Sequence, residues 1–219
     1  MAEAKSDMLP FAADALHTNA LAAPNDAALK EGGADYYGLH QVILGIGRSI
    51  LTPGSRVLDL HCDLRTLMPL VMEHEDLCKF VVLSPTEEMN WTCFDRLRTR
   101  VKLGFVDAAH LSLQDGFPEI SARLMLSLNA LGDLTMSRRV EVLESMHRHL
   151  ERGGAAVVME MVETDGDRVQ SHRAFGHPVF RKRGSWSVAE WESALIAAGF
   201  GNVTKIWSDE RRVAWLVRK

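Results

Sequence analysis

The chain has 219 residues, which suits one domain with an additional arm, because two complete hydrophobic cores would be cramped in that length. Hydrophobic residues make up 47% and charged residues 25%, so the composition excludes a wholly disordered, collagenous or coiled-coil chain. The formal net charge of -4 predicts no general attraction to nucleic acid or anionic lipid. No apolar run reaches the roughly 18 to 20 residues of a membrane helix.

The cysteine content and the N-terminal residues together predict a cytoplasmic protein. Cys62, Cys78 and Cys93 are odd in number and fit neither a disulfide framework nor the CxxC spacing of zinc sites. The first 23 residues lack the basic start and the continuous apolar stretch of a secretory signal peptide. We therefore expect a reducing compartment.

Residues 1–34 are expected to form a flexible N-terminal arm before a single α/β domain over residues 35–219. The arm is rich in Ala, Asn and Asp and ends at the pair Gly32–Gly33. Beyond it, apolar runs typical of buried strands alternate with segments of helical periodicity. The predicted elements, in chain order, are the helix Tyr36–Ile50, strand Val57–Leu60, helix Thr66–Met72, strand Phe80–Leu83, helix Glu87–Arg98, strand Val101–Val106, strand Leu124–Leu128, helix Val140–Leu150, strand Ala155–Met161, helix Ser187–Ala198, and the hairpin Val203–Trp207 with Arg211–Val217.

This order of elements predicts a doubly wound α/β fold. Repeated strand–helix units with short connections require right-handed crossovers, which produce a parallel sheet with helices on both faces. The C-terminal hairpin adds antiparallel strands, so we predict a mostly parallel, seven-stranded sheet. Ligands of such sheets bind at the carboxyl ends of the strands, where the strand order reverses. The loops after Leu60, Leu83, Val106 and Leu128 are therefore expected to face the crevice.

Four segments carry a resemblance to a known family: "SRVLDLHCDLRT", "FVVLSPTEEM", "GFVDAAHL" and "ERGGAAVVMEMV". With the final hairpin, they resemble the class I S-adenosylmethionine-dependent methyltransferases in sequence and spacing. The glycine-bearing helix before the first strand and "LNALGDL" look nearest to the tRNA uridine carboxymethyltransferase-like branch. The resemblance implies a Rossmann-like methyltransferase fold, S-adenosylmethionine as cofactor, and methyl transfer to an acceptor that the sequence does not identify.

The cofactor loop of that family has the form Asp-x-Gly-x-Gly-x-Gly. In this chain Asp59 is retained, and His61, Asp63 and Arg65 stand at the glycine positions. Their side chains take space where the cofactor would lie, and a left-handed conformation at any of them would be strained. Either the cofactor site is remodelled, or the loop closes over it, with His61 and Asp63 pairing with each other or with Arg65. Three adjacent residues do not easily converge on one ion, so we expect no metal site.

Three further positions correspond to the family's cofactor and substrate contacts. Ser84 follows the second strand, where the resemblance implies an acidic residue on the ribose; alternatively, Ser84 is the N-cap of a helix, with Pro85 and Glu87 completing a capping box. Asp107 matches the acidic residue near the adenine amino group, or caps a helix. Asn129 falls where family members position substrate, or simply forms a turn.

The connection over residues 164–184 contains the densest cluster of basic and aromatic residues. Such a cluster suits a surface for an anionic or aromatic partner, although a solvated loop is the alternative. The candidate contacts to substrate or partner are Tyr36, His172, Arg173, His177 and Arg181.

Two classes of function are compatible with these residues. The first is a methyltransferase that works mainly by aligning a nucleophile with the methyl group. The second is a catalytically inactive protein of the same fold that acts as a binding or scaffold subunit, alone or in a homo- or hetero-oligomer. A different small ligand, contacted by His61, Asp63 and Arg65, is also compatible. The negative charge counts against a nucleic-acid partner.

Overall fold

The computed structural model describes residues 35–163 and 186–219, with side chains from Gly38 onward. The predicted arm and the whole basic connection over residues 164–184 lie outside these residues. The described part contains five helices and seven strands. They are α1 (Asp35–Ile50), β1 (Arg56–Asp59), α2 (Leu64–His74), β2 (Lys79–Ser84), α3 (Glu87–Lys102), β3 (Val106–His110), β4 (Ala122–Leu128), α4 (Met136–His149), β5 (Leu150–Met161), α5 (Val188–Ala197), β6 (Asn202–Ser208) and β7 (Arg212–Arg218).

The strands form one seven-stranded sheet in the order β3-β2-β1-β4-β5-β7-β6. β1 to β5 are parallel, whereas β7 is antiparallel to both β5 and β6. This architecture confirms the predicted fold class and the C-terminal hairpin. The order reverses at β1, which pairs with β2 on one side and β4 on the other. The switch point, where a crevice is expected, therefore lies between the loops that follow β1 and β4.

A hydrophobic core lies on each face of the sheet. On one face, buried residues of α1, α2 and α3 such as Leu39, Leu67 and Leu97 pack against the strands. On the other face, α4 and α5 contribute residues such as Val142 and Trp191. Burial of both faces explains why the strands read as almost continuous apolar runs. At the start of α5, Ser187 and Glu190 form the predicted capping box.

Two local predictions around α3 are wrong. The third strand is Val106–His110 rather than Val101–Val106, because α3 continues to Lys102. Gly104 follows the helix and turns the chain with a φ of +79°, which only glycine adopts readily. The N-cap of α3 is Thr86, whose Oγ1 accepts a hydrogen bond from the Met89 N–H at 3.2 Å. Ser84 is instead the last residue of β2 and is fully buried.

Gly47 tests the packing of α1 on α2. A Cβ at Gly47 would lie 2.9 Å from Leu70 Cδ1 and 3.1 Å from His74 Nε2, whereas a Cβ at Gly45 on the same helix meets nothing within 4 Å. We expect the unfolding free energy of Gly47→Val to be about 1 to 3 kcal/mol lower than that of Gly45→Val, because the added side chain overpacks the contact and displaces α2. Urea unfolding of both variants measures the difference, and equal stabilities would contradict this packing.

Candidate functional site

The loop after β1 is a tight turn organised by Asp59. Asp59 Oδ1 accepts hydrogen bonds from the backbone N–H of His61 at 3.0 Å and of Cys62 at 3.1 Å. Cys62 adopts a left-handed conformation, with φ of +55°. The backbone strain expected at His61, Asp63 or Arg65 therefore falls on Cys62, which lies between His61 and Asp63.

Asp63 begins α2 rather than pairing with His61 through a hydrogen bond. Its Oδ1 accepts from the Arg65 N–H at 3.2 Å, and its Oδ2 accepts from the Thr66 hydroxyl at 3.1 Å. These are the contacts of a helix N-cap, which satisfy donors that the first turn leaves unpaired. The carboxylate thus stabilises the start of α2.

A cavity of about 310 Å³ lies at the carboxyl edge of the sheet, at the switch point. Its volume is at the lower end of the range of small-molecule sites. Both loops that the topology predicts, after β1 and after β4, contribute to its wall. The lining residues are His61, Cys62, Asp63, Arg65, Met89, Leu128, Asn129 and Arg212.

The structure thus brings together four of the seven predicted cofactor contacts, namely His61, Asp63, Arg65 and Asn129. Asn129 follows β4, has a φ of +56°, and donates its backbone N–H to the Met159 carbonyl at 2.8 Å. The hydrogen bond to β5 holds the residue at the wall of the cavity.

Sequence reasoning missed the other lining residues. Met89 and Leu128 belong to apolar patterns that indicate only core. Arg212 reaches the cavity because β7 is antiparallel to β5 and begins opposite Met161, at the carboxyl end of β5. Its guanidinium pairs with Asp209 and lies 5.6 Å from the centre of the Trp207 ring. No local sequence signal reports this placement, which depends on the strand order.

Asp107 is not part of the cavity lining. It lies in the second position of β3, opposite Val81, and its carboxylate forms an ion pair with Lys79 Nζ at 2.9 Å. Lys79 is the first residue of β2, so the pair lies toward the amino end of these parallel strands. Asp107 was predicted to follow the third strand, but it lies within β3, which continues to His110.

Burial sets the charge of several side chains at this edge. It raises the pKa of Asp59 to about 7, although the backbone donors of His61 and Cys62 oppose the shift. Burial also lowers the pKa of His61, against the attraction of Asp63 and Asp133, so the imidazole is neutral at pH 7. Contact with Cys93 and burial raise the pKa of the Cys62 thiol, which therefore stays protonated.

Eight buried polar side-chain atoms lack a hydrogen-bond partner within the described ranges, and four of them lie toward the carboxyl edge of the sheet. These four are Asp59 Oδ2, Ser84 Oγ, Asn90 Oδ1 and Ser127 Oγ. The Ser84 hydroxyl lies beside the Cys62 thiol, whose pKa it influences. None of these side chains is among the residues that line the cavity.

The remaining predicted contacts lie outside the described side chains. Tyr36 belongs to α1, but its side chain is not described. His172, Arg173, His177 and Arg181 fall between residues 163 and 186, so their role stays a prediction.

Comparison with solved structures gives the class of fold. An O-methyltransferase family protein from Burkholderia thailandensis matches with a TM-score of 0.62 at 14% identity, over 83% of this chain and 55% of that one. A S-adenosylmethionine-dependent methyltransferase from Clostridium acetobutylicum matches with a TM-score of 0.62 at 12% identity, over 88% and 95%. PigF, solved with SAH, matches with a TM-score of 0.56 at 14% identity, over 75% and 50%.

The chain therefore has the α/β fold of the class I S-adenosylmethionine-dependent methyltransferases. It spans about half the length of the Burkholderia protein and of PigF. No protein-family profile and no curated protein sequence matches it. The likeness to the tRNA uridine carboxymethyltransferase branch stays a prediction. Along residues 35–163 and 186–219, no helix has the length and apolar character needed to cross a bilayer.

The raised pKa of the buried Asp59 carboxyl predicts that the stability of the fold depends on pH. Its pKa of about 7 exceeds the ordinary value of 3.8, so the stability that its protonation contributes is complete below pH 4 and is lost as the pH rises through 7. We expect Asp59→Asn to remove this loss, so that from pH 5 to 8 the wild type loses about 2 kcal/mol of unfolding free energy relative to the variant. Urea unfolding at each pH measures the difference, and Asp115→Asn, at an exposed position, serves as the control. Parallel curves for wild type and Asp59→Asn would contradict the prediction.

Proposed function

We propose that this chain binds S-adenosylmethionine in the cavity and transfers its methyl group to an acceptor of unknown identity. The observation that carries the proposal is the open cavity at the switch point of a sheet with the methyltransferase strand order. The presence of SAH in PigF, which shares the fold, supports this choice of ligand.

The side chains at this edge fit such a ligand. Four side chains that line the cavity would offer hydrogen-bonding groups to the hydroxyl groups of a nucleoside, namely His61, Asp63, Arg65 and Asn129. Met89 and Leu128 supply an apolar wall to the same cavity. A small number of polar groups in a partly apolar cavity is the usual composition of a cofactor site.

When bound, S-adenosylmethionine supplies an electrophilic methyl group on a sulfonium. The residues of this chain would then act mainly by holding the acceptor in line and by excluding water. His61 is neutral and lines the cavity, so its imidazole can accept a proton from an acceptor hydroxyl or amine.

A second candidate is a catalytically inactive binding or scaffold subunit of the same fold. The replacement of the ribose-binding acid by a buried serine favours it, since one hydroxyl cannot replace a bidentate carboxylate. So do the side chains of His61, Asp63 and Arg65 at the former glycine positions. A protein partner or a second copy of the chain would then be the ligand. Under either function, the cytoplasmic location stays a prediction.

Titration calorimetry with S-adenosylmethionine and S-adenosylhomocysteine tests the proposal. We expect micromolar binding of at least one of them, and Asn129→Gly to weaken it about tenfold, because glycine keeps the left-handed backbone while the side chain at the cavity wall is lost. Glu88→Ala removes an exposed side chain next to the cavity residue Met89 and serves as the control, with unchanged affinity. The absence of heat at millimolar ligand would overturn the methyltransferase proposal and favour the binding subunit.

The same assay tests the space that His61 and Arg65 take. Both line the cavity where the family has bare backbone. The double variant His61→Ala with Arg65→Ala enlarges the cavity, and we expect it to bind S-adenosylhomocysteine several-fold more tightly than the wild type. Weaker binding would show that these side chains contact the ligand rather than obstruct it.

A further inference from the structure

The loop between β4 and α4 is held from one side by a buried glutamate. Glu160, near the carboxyl end of β5, is 1% exposed, and its Oε1 accepts a hydrogen bond from the Leu131 N–H at 2.8 Å. The backbone N–H of Ala130 also donates to this carboxylate. One side chain therefore satisfies two consecutive donors of a loop that forms no regular secondary structure.

A buried arginine holds the same loop from the other side. Arg139 of α4 is 1% exposed and donates from Nε to the Leu131 carbonyl at 3.0 Å and from Nη2 to the Gly132 carbonyl at 2.7 Å. Its guanidinium lies 5.2 Å from the ring centre of Trp186 and 5.7 Å from that of Trp191. The indole faces stabilise the cation where water does not reach it.

This arrangement is costly as a way of stabilising a fold. Burying an arginine and a carboxyl carries a desolvation penalty that well-packed apolar residues do not have. Burial raises the pKa of Glu160 to about 8 even though Arg139 attracts its charge, which reflects that penalty. General stability therefore does not explain the pair, whereas the location of the loop does.

The loop begins at a cavity residue. Asn129 lines the cavity with a φ of +56°, a conformation that needs support from its surroundings. Its N–H bonds to the carbonyl of Met159, the residue before Glu160, and the next two N–H groups bond to Glu160 itself. The end of β5 thus holds three consecutive peptide groups, the first of which belongs to the cavity wall.

We propose that Glu160 and Arg139 are positioning residues of the cavity, which fix the peptide groups of Leu131 and Gly132 and thereby hold Asn129 in its left-handed conformation at the wall. The functional part of this inference rests on the proposed function, because it concerns the affinity of the same site. Neither residue lines the cavity, so each acts on a ligand only through the loop.

The test compares Glu160→Leu and Arg139→Met, singly and combined, with the wild type. The double variant replaces both polar side chains by apolar ones, and urea denaturation checks that it is folded under the conditions of the titration. We expect its affinity for S-adenosylhomocysteine to fall about tenfold, because the wall loses its fixed geometry. Glu160→Gln retains an acceptor oxygen and is expected to recover most of the affinity that Glu160→Leu loses.

A control removes an ion pair away from the cavity. Arg100 Nε contacts Glu75 Oε2 at 2.6 Å, and neither residue lines the cavity. We expect Glu75→Leu with Arg100→Met to leave the affinity for S-adenosylhomocysteine unchanged. An equal loss of affinity in this control would show that the effect of the Glu160 and Arg139 variants is general, and would overturn the inference.

Hydrogen exchange of the backbone amides separates this inference from the proposed function, because it needs no ligand. We expect the Ala130 and Leu131 amides to exchange faster in Glu160→Leu than in the wild type, with partial recovery in Glu160→Gln. Unchanged exchange at both amides would overturn the positioning role, whether or not the wild type binds S-adenosylhomocysteine. If the wild type binds no ligand and the amides still respond, the proposed function fails and the positioning of the loop stands.

Discussion

The turn that Asp59 imposes at the end of β1 is the constraint on which the site depends. Two backbone donors bond to one carboxylate oxygen, so the chain reverses into α2 without the glycines that usually permit this turn. The left-handed conformation at Cys62 follows from this geometry. Because the Asp59 carboxylate holds the turn, the side chains of His61 and Arg65 lie in the wall of the cavity and leave it open.

Buried polar groups within the strands lie at the carboxyl ends. Asp59 and Ser84 end β1 and β2, and Ser127 and Glu160 come one residue before the ends of β4 and β5. Burial of polar groups costs free energy unless each group finds a partner, and the strand interiors are otherwise apolar. Ligand binding is expected at the carboxyl edge of the sheet, and the buried polar groups of the strands lie at this same edge.

Much of the fold could be predicted from the sequence, and the errors have local causes. Among the residues that the structure describes, periodicity located all five helices and six of the seven strands, and Ser187 with Glu190 identified the start of α5. The third strand was misplaced because Val101 and Phe105, which pack against the core from the end of α3 and from the turn, also read as a strand. Ser84 precedes Glu87 by three positions and Thr86 precedes Glu88 by two, so the sequence offers either residue as the N-cap of α3. Only the structure decides between them, because Ser84 is buried at the end of β2 and Thr86 caps the helix.

The sequence by itself determined the order of elements, the doubly wound class of the sheet and the two loops, after the first and fourth strands, that line the cavity, because these depend on periodicity and on right-handed connections. The loop expected after Val106 was wrong, because Val106 begins β3. Only the tertiary structure decided which side chains meet at the cavity. Asp107 pairs with Lys79 away from it, Arg212 enters from an antiparallel strand, and Glu160 and Arg139 meet on one loop. Such encounters join residues far apart in the chain, and their geometry depends on strand order and register, which no local pattern encodes.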